Sequence, residues 1–170
     1  VGVGAHPSYP DLLGFGRRNM DCTAEETKSY TIYQIGALSG FCISNSVKLK
    51  HVKPHGALYN MAVQDPAIWE AVAEAIAAVD KRLILFVLAV KDRQRLEAIS
   101  SRHGVRIAYE FFGDRAYNSD GSLVSRKEPG AVIHDGEMVA EKILKMVKES
   151  RVVCIDGSEI KLTADTICVH

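Results

Sequence analysis

Three short runs hold the side chains with the most chemistry to offer: Gly4-Ala5-His6-Pro7, Val52-Lys53-Pro54-His55-Gly56 and Gly113-Asp114-Arg115. Lys53 and His55 stand two residues apart, which on an extended segment points both side chains the same way. Pro54 fixes the backbone between them, and Gly56 lets a ligand come close. An imidazole beside an ammonium can move a proton and stabilise a developing anion. His6 before Pro7 serves a turn as well as a site. Asp114-Arg115 follows Tyr109-Glu110-Phe111-Phe112 and Gly113, and reads either as a structural ion pair or as a pair reaching into a site. Arg17 and Arg18 follow Gly14-Phe15-Gly16; guanidinium groups bind carboxylate or phosphate bidentately, and a solvated basic loop has the same composition. Arg126 and Lys127 come after the Asp120-Gly121 turn, where they suit a lid. His51 reads as a core histidine, His103 as exposed, and His134 has no partner that spacing can name.

Several chemistries have no motif. There is no G-x-x-x-x-G-K-[ST] phosphate loop, no G-x-S-x-G elbow and no H-E-x-x-H pair. Two or three histidines with Asp114 match a metal site by composition, but their spacing does not, and Lys53 would oppose a cation. Cys22, Cys42, Cys154 and Cys168 form no C-x-x-C pair, and Cys42 and Cys154 sit among apolar residues as buried thiols. That usage suits a reducing, cytoplasmic setting.

The elements that must carry these residues alternate. Residues 1–5 read as a strand, followed by a loop to 22. Thr23 and Glu26 make a capping box, with Tyr30, Tyr33, Ala37 and Phe41 as the apolar face of the helix. Gly36 and Gly40 would allow that helix a close backbone approach. Residues 48–53 are a strand and 55–62 a short helix. Asp65-Pro66 starts another helix with Trp69, Val72, Ala73 and Ile76 inward. Residues 83–88 form a continuous apolar strand suited to a parallel sheet. A helix at 92–102 with Leu96 and Ile99 inward, a strand at 105–112, a hairpin insertion around 113–134 and a helix capped by Asp135 follow. That helix carries Val139, Ile143, Met146 and Val147 on one face. Short strands at 152–155, 159–162 and 166–169 complete the pattern.

Strand–helix alternation predicts an α/β fold with a parallel sheet in one domain, 1–170. A barrel fits better than a doubly wound sheet, because no nucleotide-binding glycine fingerprint follows the first strand. In either fold, catalytic residues lie just past the carboxyl ends of strands. That filter selects His6, Lys53 with His55, Asp114 with Arg115, and His170. The 170 residues suit one domain, with 47% hydrophobic and 25% charged content. The 21 basic and 21 acidic side chains cancel, which argues against nucleic acid or an anionic membrane as partner. No apolar run approaches the ~18 residues of a membrane span. Core-like strands at Val1 and at His170 read as cut ends, so a fragment is expected.

At these residues the sequence resembles the LamB/YcsF family, the 5-oxoprolinase A-subunit proteins. The resemblance rests on Gly-Ala-His-Pro-Ser-Tyr-Pro-Asp-Leu-Leu-Gly-Phe-Gly-Arg-Arg (4–18), Val-Lys-Pro-His-Gly-Ala-Leu-Tyr-Asn (52–60), Asp-Arg-Ala-Tyr (114–117), Asp-Gly-Ser-Leu-Val-Ser-Arg (120–126), Pro-Gly-Ala-Val-Ile (129–133) and Ile-Cys-Val-His (167–170). It implies a distorted TIM-like (β/α) barrel, similar to the glycoside hydrolase/deacetylase superfamily and incomplete here. It also implies ATP-dependent cleavage of 5-oxo-L-proline to L-glutamate, with magnesium accompanying ATP and with partner subunits B and C. The family's opening D-L-N-x-D-x-G-E and G-F-H-A-G-D motifs are not in the chain, and its H-G-D stops at His170. Lys53 and Arg115 are then expected at phosphate or oxyanion, His6 or His55 as general base, Asp114 as the orienting group and Arg17 or Arg18 at the substrate carboxylate. Arg126 and His170 complete the expected binding set. Two other readings stay open: a metal-dependent amide or deacetylase-type hydrolase, and a non-catalytic partner-binding subunit. The oligomeric state, a homo-oligomer included, is left open.

Overall fold

The computed structural model describes all of residues 1–170. Contacts divide the chain into two compact units: 1–87 with 94–107, and 88–93 with 108–170.

In the first unit, β1 (Val3–Ala5) leads into a loop and then α1 (Ala24–Ser44). Both arms of the capping box are present: the Glu26 N–H donates to the Thr23 hydroxyl, and the Thr23 N–H donates to the Glu26 carboxylate at 2.8 Å. The helix face differs from the expected one. Thr27, Thr31, Ile35 and Cys42 are buried, whereas Tyr33 and Phe41 are 74% and 70% exposed. Thr31 tolerates burial because its hydroxyl donates to the Thr27 carbonyl one turn back, at 2.8 Å. Gly36 and Gly40 face open space instead of another backbone.

After β2 (Leu49–Val52) come α2 (Gly56–Gln64), α3 (Pro66–Val79), β3 (Ile84–Leu88) and α4 (Gln94–His103). β1, β2 and β3 pair in parallel. Asp65 caps α3, its carboxylate accepting from the Ala67 N–H, with Pro66 in the first turn. Trp69, Val72, Ala73 and Ile76 of α3 are all buried. This apolar helix packs against α1, α2 and α4 and is tied down by ions at its rim. Lys28 reaches Glu74 at 2.7 Å, and Arg102 and His103 both reach Glu70. His103 is therefore not the exposed residue its position after a helix suggested; its side chain is 17% exposed and lies 2.6 Å from that carboxylate. His51 is half-buried rather than a full core residue, stacked 4.4 Å from Phe86 with its ring filling the space a Cβ on Gly4 would need. Burial, with the Lys53 charge, lowers its pKa.

The second unit takes the end of β4 (Arg106–Phe112), then α5 (Gly136–Glu149), β5 (Arg151–Val153), β6 (Glu159–Lys161) and β7 (Thr166–Cys168). β4 and β7 are parallel, with Phe111 opposite Ile167. β5 and β6 form an antiparallel pair turned by Asp156-Gly157, where Gly157 has φ +80°. Between β4 and α5 the chain folds on itself through antiparallel bridges, Arg115 to Val132 and Tyr117 to Leu123. Asp135 caps α5 through the N–H groups of Glu137 and Met138. Val139 and Met146 face inward, but Val147 is 61% exposed, so the buried stripe is narrower than expected. The α/β class with parallel strands is the expected one. Five strands pair in parallel, against eight in a closed barrel of this kind.

Candidate functional site

The first unit builds a histidine pair. Parallel pairing continues past the ends of β1 and β2: the Lys53 N–H donates to the Ala5 carbonyl at 2.9 Å and the His55 N–H to the Pro7 carbonyl at 2.8 Å. That register sets His6 against His55. Nδ1 of His6 lies 2.6 Å from the Lys53 carbonyl oxygen, and Nε2 of His6 lies 2.9 Å from Nδ1 of His55. Nε2 of His55 then meets the Phe15 carbonyl oxygen at 2.8 Å. The rings stand nearly perpendicular, at 77° with centroids 4.8 Å apart.

The loop between β1 and α1 is folded to supply that last carbonyl. Phe15 has φ +55°, a left-handed conformation costly for a residue with a side chain. Gly16 follows at φ +68° and Gly56 faces it at φ +57°. The Gly16 carbonyl accepts from the Ala57 N–H at 2.9 Å, and a Cβ on Gly56 would stand 2.4 Å from that oxygen. Only two glycines allow this backbone approach. The Phe15 ring also meets His55 edge-on at 5.2 Å, and the Arg17 guanidinium lies 5.5 Å over Phe15.

Two residues that the sequence reading passed over hold this loop. Asp11 is buried, and its carboxylate accepts from the Gly14 and Arg18 N–H groups and from the Arg18 guanidinium. The Arg18 side chain holds the Asp11 pKa down at about 2. Gln34 of α1 clamps Ser8, accepting from its N–H at 2.9 Å and donating to its carbonyl at 2.8 Å. Asp-x-x-Gly is a signal for Asp11, since aspartate commonly accepts from a turn N–H a few residues on. Gln34 had no local signal. Arg18 is thus engaged by Asp11, while Arg17 lies over an aromatic ring. An open depression of about 500 Å³ beside this loop is lined by Leu12, Leu13, Arg18 and Met20 and includes neither histidine.

The second unit builds a separate set. Asp114 is buried at the end of β4. One of its oxygens accepts from both the backbone N–H and Nδ1 of His170, at 3.2 and 3.0 Å, and the other is buried with no hydrogen-bond partner. His170 stacks on Phe112 at 5.9 Å. Parallel pairing of β4 with β7 produces this meeting, carried on by the Gly113 N–H donating to the Cys168 carbonyl.

Arg115 does not face open space. Its buried guanidinium donates to the carbonyls of Ala131 at 3.1 Å and Val124 at 2.6 Å, which fastens the 113–134 segment. Burial, and the charge of Arg126, lower its pKa. Arg126 itself is exposed. Lys142, a residue the sequence reading did not select, donates to the carbonyls of Arg115 and Phe112 and lies about 5 Å over the rings of Phe111 and Tyr117. Burial lowers its pKa to about 8, against the pull of Asp114. In sequence it is one of several lysines on α5, and only tertiary packing distinguishes it. No group of three or more His, Cys, Asp or Glu side chains is placed to hold a metal ion. No helix is long and apolar enough to cross a membrane.

Known proteins resemble this chain over its whole length. The chain is 53% identical over 170 residues to the 5-oxoprolinase A-subunit of Thermococcus onnurineus (strain NA1), and 51% identical to that of Campylobacter jejuni subsp. jejuni serotype O:23/36 (strain 81-176). In both cases all of this chain is covered and 66% of the relative, so the chain spans just under two thirds of their length. The solved lactam utilization protein from Thermus thermophilus superposes with a TM-score of 0.91 at 45% identity, covering 100% of this chain and 68% of that one. The sequence model of one family matches residues 1–170 without a gap at either end, and with relatives this similar the chain belongs to the LamB/YcsF family.

Proposed function

We propose that this chain is the larger part of the A-subunit of an ATP-dependent 5-oxoprolinase, an enzyme that opens 5-oxo-L-proline to L-glutamate while ATP becomes ADP and phosphate. Subunits B and C would be its partners, and the cytoplasm its setting. The observation that carries this reading is the 53% identity, over every residue, to a protein named as the 5-oxoprolinase A-subunit. The four cysteines are thiols, which agrees with a reducing compartment.

A lactam is a stable amide, and ATP, when bound, supplies the phosphoryl group that makes its carbonyl carbon electrophilic. The chain's own residues fit the surrounding tasks. Lys53 offers a cation to phosphate or to the developing oxyanion. Arg17, not engaged by Asp11 as Arg18 is, offers a bidentate grip on a carboxylate. Asp114 orients His170 through Nδ1 at 3.0 Å, and Nε2 lies 3.7 Å from Cys168 Sγ, so the imidazole is held for proton transfer. Arg115 and Lys142 hold the backbone on which Asp114 stands. Magnesium would arrive on the phosphates of ATP, since it commonly binds through them and keeps several waters, and no set of three protein donors is placed for it.

The test is 5-oxoproline-dependent ATP hydrolysis by the full-length protein with its partner subunits present. Lys53→Ala should lower that rate by about 100-fold or more, the scale seen when one oxyanion-stabilising group is removed. Full activity in the variant would sink the assignment of Lys53.

A further inference from the structure

We propose that Cys168 is a nucleophile for an acyl carbon, with His170 moving its proton and Asp114 positioning His170.

Strand geometry builds the trio. Cys168 closes β7 and His170 lies two residues on, the spacing that puts two side chains on one side of an extended segment. They meet there: Sγ of Cys168 lies 3.7 Å from Nε2 and 3.9 Å from Nδ1 of the His170 ring. Nδ1 also lies 3.0 Å from the Asp114 carboxylate, and the same oxygen accepts from the His170 backbone N–H at 3.2 Å. The backbone beneath the sulfur is held as well. β4 pairs with β7 so that Phe112 stands opposite Cys168, and the Gly113 N–H donates to the Cys168 carbonyl at 2.9 Å.

A thiol beside an imidazole that a third group orients is how a cysteine nucleophile is activated. The sulfur contacts are longer than the roughly 2.6–3.2 Å of a tight nucleophile–base pair, and such contacts commonly tighten when a substrate binds. Asp114 supplies a second sign of a ligand. It is 4% exposed, and its other oxygen is buried with no hydrogen-bond partner. A buried acceptor in that state suits a donor that a ligand brings. The sulfur can be reached, because Cys168 is only half-buried and the His170 side chain is 51% exposed. The other thiols have a different setting. Cys42 and Cys154 are buried, and Cys154 donates to the Asn118 carbonyl at 3.4 Å. Cys22 is half-buried like Cys168, but burial, and then the charges of Glu26 and Asp21, raise its pKa and keep it a thiol.

Which carbon is attacked rests on the proposed reaction; the reactivity of the thiol does not. On a lactam whose oxygen ATP has phosphorylated, Sγ bonds to the carbonyl carbon, its proton goes to His170, and phosphate leaves with the electron pair of the C–O bond. Water adds to the resulting thioimidate carbon. The C–N bond then breaks, its electron pair and a proton going to nitrogen, which leaves a γ-glutamyl thioester. A second water releases glutamate and restores the thiol.

The test is alkylation of the full-length protein by iodoacetamide at about pH 7.5, read site by site by peptide mass spectrometry. Cys168 should react at least about 10-fold faster than Cys22, and His170→Gln should remove most of that advantage while Cys22 reacts as before. Equal rates at the two cysteines of the wild type, or an advantage that His170→Gln leaves untouched, would overturn the proposal. Should His170→Gln not fold, Asp114→Asn takes its place with the same expected loss. With the partner subunits present, Cys168→Ser, which keeps the shape of the side chain, should lower glutamate release from 5-oxoproline by about 100-fold or more. Release at the wild-type rate overturns the nucleophilic role. A wild-type protein that releases no glutamate refutes the proposed function instead, and the alkylation rates still decide the thiol.

Discussion

Replacing Gly56 with alanine should destabilise the protein far more than one added methyl group would suggest. Gly56 has φ +57°, and holding an alanine there costs about 1 kcal/mol. The new Cβ would also stand 2.4 Å from the Gly16 carbonyl oxygen and 3.1 Å from its carbon. Both atoms are backbone, so no side chain can swing away. One strand-end loop must retreat by several tenths of an ångström, and the Ala57 N–H to Gly16 carbonyl bond is stretched as it does. Losing that bond adds about 1 kcal/mol. The expected sum is about 2–3 kcal/mol, a fall in Tm of roughly 5–10 °C for a chain of this size. Gly36→Ala is the internal control. Gly36 sits mid-helix with nothing within 4 Å of its Cβ position, so alanine there should stabilise by about 0.5–1 kcal/mol. Urea or thermal unfolding of the two variants beside wild type measures both. A Gly56→Ala protein within about 0.5 kcal/mol of wild type, with the control behaving as stated, would refute the backbone docking that carries Phe15 to His55.

Two further outcomes come from the second unit. Tyr117→Phe withdraws the hydroxyl that accepts from the Phe112 N–H at 2.9 Å while keeping the ring stacked on Phe111, so stability in urea should fall by about 1–2 kcal/mol with the m-value unchanged. Lys142 has a folded pKa of about 8, below the unfolded value of about 10.4. The fold thus disfavours its charge below pH 8, and stability should rise as pH climbs from about 8 to about 10. Partial solvent access trims the gain to about 1–2 kcal/mol. The Lys142→Met protein, titrated in parallel, should lack that rise; an identical pH profile in both would remove Lys142 as its source.

The fold was most legible where a local rule fixes the backbone. Thr23 with Glu26, Asp65 with Pro66, and Asp135 each mark a helix start by chemistry confined to a few residues, and each helix begins there. The apolar α3 stripe was legible for the same reason, because every residue on it is buried. The inner face of α1 was not. Its two threonines count as polar by type, yet Thr31 returns its hydroxyl to its own helix and enters the core, while Tyr33 and Phe41 count as apolar and stay outside. His103 was misplaced because its partner, Glu70, lies on a different helix.

The site divides along the same line. That polar residues past the ends of parallel strands are worth examining is visible in sequence, and it selects His6, His55, Asp114 and His170. What each can do depends on partners brought from 40 to 56 residues away, which spacing does not encode. Arg115 and Asp114 are adjacent in sequence and differ fully in use: one guanidinium is spent on two carbonyls of its own loop, the other residue's carboxylate holds a histidine. A histidine in the sequence is equally an acid, a base or a ligand. The choice among these comes from counting what its two nitrogens touch. For His170 they touch the Asp114 carboxylate and Cys168 Sγ; for His6 and His55 they touch each other and, at either end, the carbonyls of Lys53 and Phe15. Two backbone carbonyls, and the left-handed turn at Phe15 that aims one of them, therefore set how His6 and His55 are held, as Asp114 sets His170.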